Sequence, residues 1–307
     1  MEITQHIEQL NNAQQLAVTA QLGNLLILAG AGSGKTRVLI NRIAWLITVQ
    51  HATPHSILAV TFTNKAAAEM RSRLAAMLGA SMRGIWVGTF HGLAHKLLRQ
   101  HWREANLIEN FQVIDSDDQL RLIKRVFKKL TIDEERWEPK KAQGFINRKK
   151  DEGIYAQQLV RAQSSYEQVM GEIYTHYQQA CQEHGVVDFA DLLLRCYSML
   201  AQNPDLLAHY QAKFAHFLVD EFQDTNTIQY LWLNILTQRA ASVTVVGDDD
   251  QSIYGWRGAK IENIQRFEQD YPQTAVVRLE QNYRSTNTIL AAANALIDNN
   301  SGRLGKT

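Results

Sequence analysis

Two hydrophobic patterns alternate along this chain. Leu25–Leu28, within the stretch 24–28, and Ile57–Phe62 are short apolar runs, and each is followed by residues at helical spacing, over 35–49 and 64–78. A short apolar run bounded by glycine or polar residues predicts a strand buried on both faces. Strands separated by helices predict a parallel sheet. From about Thr89 to Lys213 the pattern becomes almost wholly helical. Behind Ser116, Leu120, Ile123, Val126, Phe127 and Leu130 repeat at helical spacing, which predicts a helix start at Ser116. Further helices are predicted near 138–150, 166–184 and 189–201. Strands return at 217–219, 242–246 and 275–279, and a last helix is predicted over 287–299. The expected fold class is α/β: a parallel sheet with helices on both faces, interrupted by a helical insertion.

Composition narrows the functional classes. Hydrophobic residues make up 45% of the 307, enough for a substantial core and too many for a disordered chain. Lys and Arg number 32 against 31 acidic residues, so binding to nucleic acid would need a local groove rather than net charge. Cys181 and Cys196 lack metal-ligand spacing and read as buried thiols of a reducing compartment. The first ten residues are polar, unlike a signal peptide, and no apolar run approaches the roughly 20 residues of a membrane span. A cytoplasmic protein without a membrane partner is expected.

The strongest local chemistry lies after the first strand. Ala29-Gly30-Ala31-Gly32-Ser33-Gly34-Lys35-Thr36 follows the pattern G-x-x-x-x-G-K-[ST], with Ala29 in place of the first glycine. Small residues let backbone N–H groups curl around a phosphate. Lys35 supplies a point charge to the β and γ phosphates, the Thr36 hydroxyl a ligand for Mg²⁺, and the following helix its N-terminal dipole. Strand, loop and helix come in the required order. The second Gly-Lys-Thr, at 305–307, lacks the upstream glycine and the following helix, and reads as tail.

Asp220 and Glu221 end the apolar run Phe217-Leu218-Val219. At the end of a buried strand in such a sheet, Asp220 would hold Mg²⁺ and Glu221 would orient or deprotonate the attacking water. A G protein would also carry N-K-x-D, but Asn64-Lys65 is followed by Ala66-Ala67. Nothing selects the small phosphoryl acceptor of a kinase. His91 and His95 have the spacing of a zinc pair, but Gly92 stands where the metalloprotease pattern needs Glu, so only Mg²⁺ with nucleotide is expected.

Seven motifs then follow in order: Ala29–Thr36, Thr61–Met70, Gly88-Thr89-Phe90-His91, Val187-Asp188-Phe189, Asp220–Asn226, Gly247–Gly258 and Gln281–Thr286. Together the chain resembles the UvrD/PcrA/Rep group of superfamily-one DNA helicases, over essentially its whole length. The resemblance implies a RecA-like P-loop NTPase fold and ATP with Mg²⁺. Gln14 matches a residue that reads N6 and N7 of adenine, Tyr283 an aromatic that stacks on it, and Arg37 and Arg73 nucleotide-contacting positions. Gln251 matches a residue that senses the γ-phosphate and couples it to the DNA site, and Arg284 an arginine that stabilises transition-state charge. Phe62, Tyr254 and Trp256 match aromatics along the single-strand path. Thr89 and His91 match positions near the DNA backbone, and Arg257 lies beside the aromatic pair.

The group has four subdomains. By resemblance, 1–88 and 213–280 form the first motor domain, 89–212 its helical insertion, and 281–307 the opening of a second motor domain. The later motifs, with a second arginine for the γ-phosphate, are not among these residues, so the sequence reads as an N-terminal fragment. The resemblance implies a 3′-to-5′ DNA helicase of excision and mismatch repair, with single-stranded DNA, strand junctions and repair proteins as partners. The fragment is expected to bind ATP and DNA but to turn over weakly. The alternative is a non-catalytic module that binds ATP and single-stranded DNA.

Overall fold

The computed structural model describes residues 3–161, 164–260 and 262–297. Its strands are β1 (Asn24–Ala29), β2 (Ile57–Thr61), β3 (Trp86–Thr89), β4 (Gln112–Ile114), β5 (Val186–Asp188), β6 (His216–Val219), β7 (Ser242–Gly247) and β8 (Ala275–Leu279). Six form one sheet in the order β3-β2-β6-β7-β1-β8, with parallel pairings throughout. In register, Leu26 faces Val245, and Leu58 faces both Trp86 and Phe217. β2, β6 and β7 are buried at every residue, as strands covered on both faces must be, whereas β8 at the edge is partly exposed.

The chain divides into two compact units. The first lies within Met1–Phe90, Ala208–Thr225 and Leu236–Thr307 and holds the six-stranded sheet. Its core includes Leu25, Ile27, Val38, Leu39, Ile43, Met70, Leu74, Leu218 and Val246. The helix Lys35–Thr48 buries Val38–Leu46, Arg42 among them. Arg42 is wholly buried, and burial lowers its pKa to about 10. Its guanidinium donates to Thr244 Oγ1 on β7 and to the carbonyls of Ala17, Val18 and Ala20, where the helix Asn12–Thr19 ends. One buried cation thus ties the helix behind the glycine-rich loop to a central strand and to the segment that carries Gln14.

The second unit is His91–Leu207 with Asn226–Ile235. Its helices Ser116–Leu130, Pro139–Asp151 and Ser165–Glu183 share a core containing Ile123, Phe127, Phe145, Ile146, Ile173 and Tyr177. Beside that core, Lys150 is fully buried, 2.5 Å from Asp188 Oδ2 and 3.6 Å from Asp191 Oδ1. Tyr177 donates to Asp188 at 2.7 Å, and Arg195 grips Asp191 through Nε and Nη2. Asp188 Oδ1 also accepts from Asp191 N, capping the helix Phe189–Gln202.

The α/β class is as the hydrophobic pattern predicts, and β8 and the helix Asn64–Leu78 match their predicted ranges. Two details differ. β3 runs straight into the helix Phe90–Gln100 without the loop that would mark its end. The region expected to be helical contains the parallel pair β4–β5, each only three residues long. The helix predicted to start at Ser116 does start there, capped by Asp115, whose Oδ1 accepts from the N–H groups of Asp117 and Asp118. The helix predicted over 287–299 is described over Asn287–Ile297, and 298–299 and the tail 305–307 lie outside the described residues.

Candidate nucleotide site and aromatic platform

β1 ends at Ala29, and the chain turns through 30–34 before the helix that starts at Lys35. Gly32 and Gly34 have φ of +69° and +88°, which L residues adopt only with strain. Ser33 closes the turn by donating to Gly30 O from both its N–H and its hydroxyl, at 3.2 and 2.7 Å. Gln14 is buried beneath it. Its Nε2 donates to Ser33 O at 2.8 Å, and its Oε1 accepts from Asn11 N at 3.2 Å. Arg37 donates to Gln9 O at 3.2 Å.

The segment after β8 folds over the same loop. Tyr283 N donates to Gly32 O at 3.0 Å, and the Asn282 side chain donates to Ala31 O. Asn282 Oδ1 accepts from the backbone N–H groups of Arg284 and Ser285 at 2.7 and 2.8 Å, fixing the turn that carries Arg284. The Tyr283 hydroxyl accepts from Asn11 Nδ2 at 2.7 Å, while the residue stays 56% exposed. Arg73 is different. It pairs with Glu69 at 2.5 Å along the exposed face of its own helix, rather than with the loop.

Facing the loop are the residues that follow β6. Lys35 Nζ lies 2.9 Å from Glu221 Oε2, and Thr36 Oγ1 lies 3.4 Å from Asp220 Oδ2. Glu221 has φ +51°, ψ +48°, the left-handed region, directly after the strand. Asp220 is buried, and its N–H still bonds to Val60 O on β2 at 2.9 Å. Burial, then the charge of Glu221, pushes the Asp220 carboxyl up to about 6 against the pull of Lys35. The same two causes raise Asp224 to about 6, and its Oδ1 is buried without a hydrogen-bond partner. Crowded, underneutralised carboxylates beside a hydroxyl are hard oxygen donors suited to Mg²⁺, which takes one or two protein ligands alongside phosphate oxygens.

From Glu221 a polar chain runs sideways to β7. Gln223 Nε2 donates to Glu221 Oε2 at 2.8 Å, and its Oε1 accepts from Asp248 N at 3.0 Å. Asp248 in turn accepts from the Gln251 side chain. Gln223, Asp248 and Asn282 were not among the residues that sequence motifs assigned a role. The side chains of Gln223 and Asn282 join segments 25 residues or more apart in the chain, while Asp248 takes part through its backbone N–H, and only their places inside the motifs hint at it.

Beyond Gln251 stands a row of rings. Phe62, after β2, stacks on Tyr254 with centroids 5.1 Å apart and planes at 29°, and Tyr254 leans on Trp256 at 6.3 Å. Trp256 is 80% exposed, an unusual position for the largest apolar side chain. Thr89 is half-buried at the end of β3. Arg257 belongs to the 3-10 turn Gly255–Arg257, and its side chain lies outside the described part of the structure. His91 lies in the second unit, stacked at 4.0 Å and 17° on Phe189, a ring that is itself 58% exposed.

A parallel sheet whose first strand feeds a glycine-rich loop bearing Lys35 and Thr36, opposite strand-end carboxylates, defines a P-loop NTPase fold of the RecA-like type. The model of the UvrD/REP helicase N-terminal domain matches residues 10–272, and the chain belongs to that family. It is 56% identical over 306 residues to DNA helicase II of Escherichia coli (strain K12), covering all of this chain and 42% of that protein. It is 53% identical over 310 residues to DNA helicase II of Haemophilus influenzae, and 44% identical over 303 residues to ATP-dependent DNA helicase PcrA of Bacillus subtilis (strain 168). In those cases too it spans about two fifths of the relative's length, 42% and 41%. No helix among the described residues is long and apolar enough to cross a membrane.

Proposed function

We propose that these residues belong to a cytoplasmic ATP-dependent DNA helicase of DNA repair that moves 3′ to 5′ on single-stranded DNA. The observation that carries the reading is the convergence of Lys35, Thr36, Asp220 and Glu221 at one end of the sheet, linked through Gln223 and Asp248 to Gln251. The loop 29–36 would cradle the phosphates of ATP, with Lys35 on the β and γ groups. Gln14 and Tyr283 would hold the adenine, with Arg37 and Arg73 as further nucleotide contacts. Mg²⁺, held by Thr36 and Asp220, would neutralise charge between the phosphates. Glu221 would take the proton of the attacking water, Gln251 would sense the γ-phosphate, and Arg284 would stabilise the charge that develops on it.

The rings of Phe62, Tyr254 and Trp256 suit unpaired bases, because stacking of about 1–3 kcal/mol per base needs no particular sequence. Thr89, His91 and Arg257 would meet the backbone, and strand junctions and repair proteins would be the partners. Within this reading, 1–88 with 213–280 is the first motor domain, 89–212 its helical insertion, and 281–307 the opening of a second motor domain. One transition-state arginine is worth about 10³–10⁵ in rate, so residues 1–307 by themselves bind ATP and DNA but turn over weakly. The test is Glu221→Gln in the full-length protein. Phosphate release driven by single-stranded DNA is expected to disappear while ATP binding persists; retained turnover would remove Glu221 as the base. Displacement of a strand only from a 3′-tailed duplex checks the polarity.

A further inference from the structure

Gln223 is 1% exposed, and both ends of its side-chain amide are committed. Its N–H bonds Glu221 Oε2 at 2.8 Å, and its oxygen takes the N–H of Asp248 at 3.0 Å. It occupies the space that a side chain at Gly247, the last residue of β7, would need: an added Cβ there would sit 3.1 Å from Gln223 Oε1. Asp248 begins the loop that leaves β7, and accepts from the Gln251 side chain and from Asp250 N at 3.2 Å. Tyr254 and Trp256 follow in the same loop.

Glu221 Oε2 is met by two donors, Lys35 and Gln223. A phosphate seated in the glycine-rich loop would draw Lys35 toward itself. Gln223 is then the described donor left to orient that oxygen, and a base works only when it is held within hydrogen-bonding reach of its water. Movement of the β7 loop, carried through Asp248 N to a rigid amide, reaches the carboxylate without passing through the nucleotide.

We infer that Gln223 is a positioning residue that couples the loop bearing Tyr254 and Trp256 to Glu221, so that single-stranded DNA on those rings sets the rate of hydrolysis. The inference rests on the ATPase reading given above.

The experiment measures ATP turnover of the full-length protein with and without a single-stranded oligothymidylate, in the parent, in Gln223→Met and in Gln223→Glu. The methionine keeps the volume and removes both hydrogen bonds. The glutamate keeps the acceptor that Asp248 needs and replaces the neutral amide donor to Glu221 with a second carboxyl, which competes with it for a proton. In both, the ratio of stimulated to basal kcat is expected to fall about tenfold, with KM for MgATP and affinity for the oligonucleotide within about threefold of the parent. The two retained affinities also report a folded protein. An unchanged ratio overturns the inference. So does a proportional fall of basal and stimulated rates, which is what a merely structural role would give. A parent that shows no stimulation by DNA fails the ATPase reading itself.

Discussion

Lys35 Nζ lies 2.9 Å from Glu221 Oε2, so the lysine that would bind phosphate and the carboxylate that would activate water are partners of each other. Any phosphate entering the loop competes with Glu221 for Lys35. The pair is partly open, with the Glu221 side chain 34% exposed, so its attraction is worth about 0.5–1 kcal/mol. Glu221→Gln is therefore expected to tighten MgATP binding by about two- to fivefold while removing turnover. Isothermal titration of the two proteins checks this, and weaker binding by the variant would contradict the competition. Lys35→Ala should weaken the same binding by about tenfold or more, the cost of one charge-assisted contact.

Gly32 is where the loop and the segment after β8 come closest. Its φ of +69° is strained for any other residue, and an added Cβ would sit 2.7 Å from Arg284 Cβ and 3.0 Å from the Asn282 side chain. Neither neighbour moves freely, because Asn282 is tied to Ala31 O and to the N–H groups of Arg284 and Ser285. Gly32→Ala is expected to destabilise the first unit by about 1–3 kcal/mol and to weaken MgATP binding. Thermal melting and a nucleotide titration measure both, and a variant equal to the parent in each would mean that the segment yields without cost.

The two halves of this site were legible to different degrees. The loop 29–36 and the pair Asp220–Glu221 are local patterns, each read from a few consecutive residues next to a buried strand, and the fold brings them within hydrogen-bonding distance. Asn282 over Ala31 and Gln223 under Asp248 depend on which strand ends lie side by side, and hydrophobic periodicity carries no information about strand order. β4 and β5 escaped for a related reason: three residues are too few for a period, and their partners stand more than 70 positions apart. β3 was hidden because Thr89 passes into the helix at Phe90 with no glycine or proline between them.

Trp256 gives a separation of binding from folding. At 80% exposure it contributes little to the core, so Trp256→Ala should change stability by no more than about 0.5 kcal/mol. Loss of one stacking surface should weaken single-stranded DNA binding by about 1–3 kcal/mol, with little dependence on base sequence. Fluorescence anisotropy with oligothymidylate and a mixed-sequence strand, beside a melting curve, tests the pair of effects. Equal affinity of variant and parent would remove Trp256 from the DNA path.

The buried ions of the second unit make a prediction about acid. Lys150 is held between Asp188 and Asp191, and Arg195 adds a second cation on Asp191. Burial alone would raise the Asp191 pKa, but the charges of Lys150 and Arg195 outweigh it and hold the carboxyl at about 2. A folded pKa below the unfolded one gives stability that is complete above about pH 4 and is lost as pH falls toward 2. Lys150→Met leaves two buried carboxylates with one cation fewer, and should cost about 3–5 kcal/mol at pH 7. It also removes part of what depresses Asp191, so the acid midpoint of unfolding should move to higher pH. For Lys150 itself burial lowers the pKa, but the charges of Asp188 and Asp191 outweigh it and raise the pKa above the ordinary lysine value. Its stabilising effect is therefore intact at neutral pH and is lost only as pH rises beyond that value. Urea melts at pH 7 and acid titrations followed by near-ultraviolet dichroism compare the two proteins. An acid midpoint unchanged by Lys150→Met would mean that Arg195 alone sets the ionisation of Asp191.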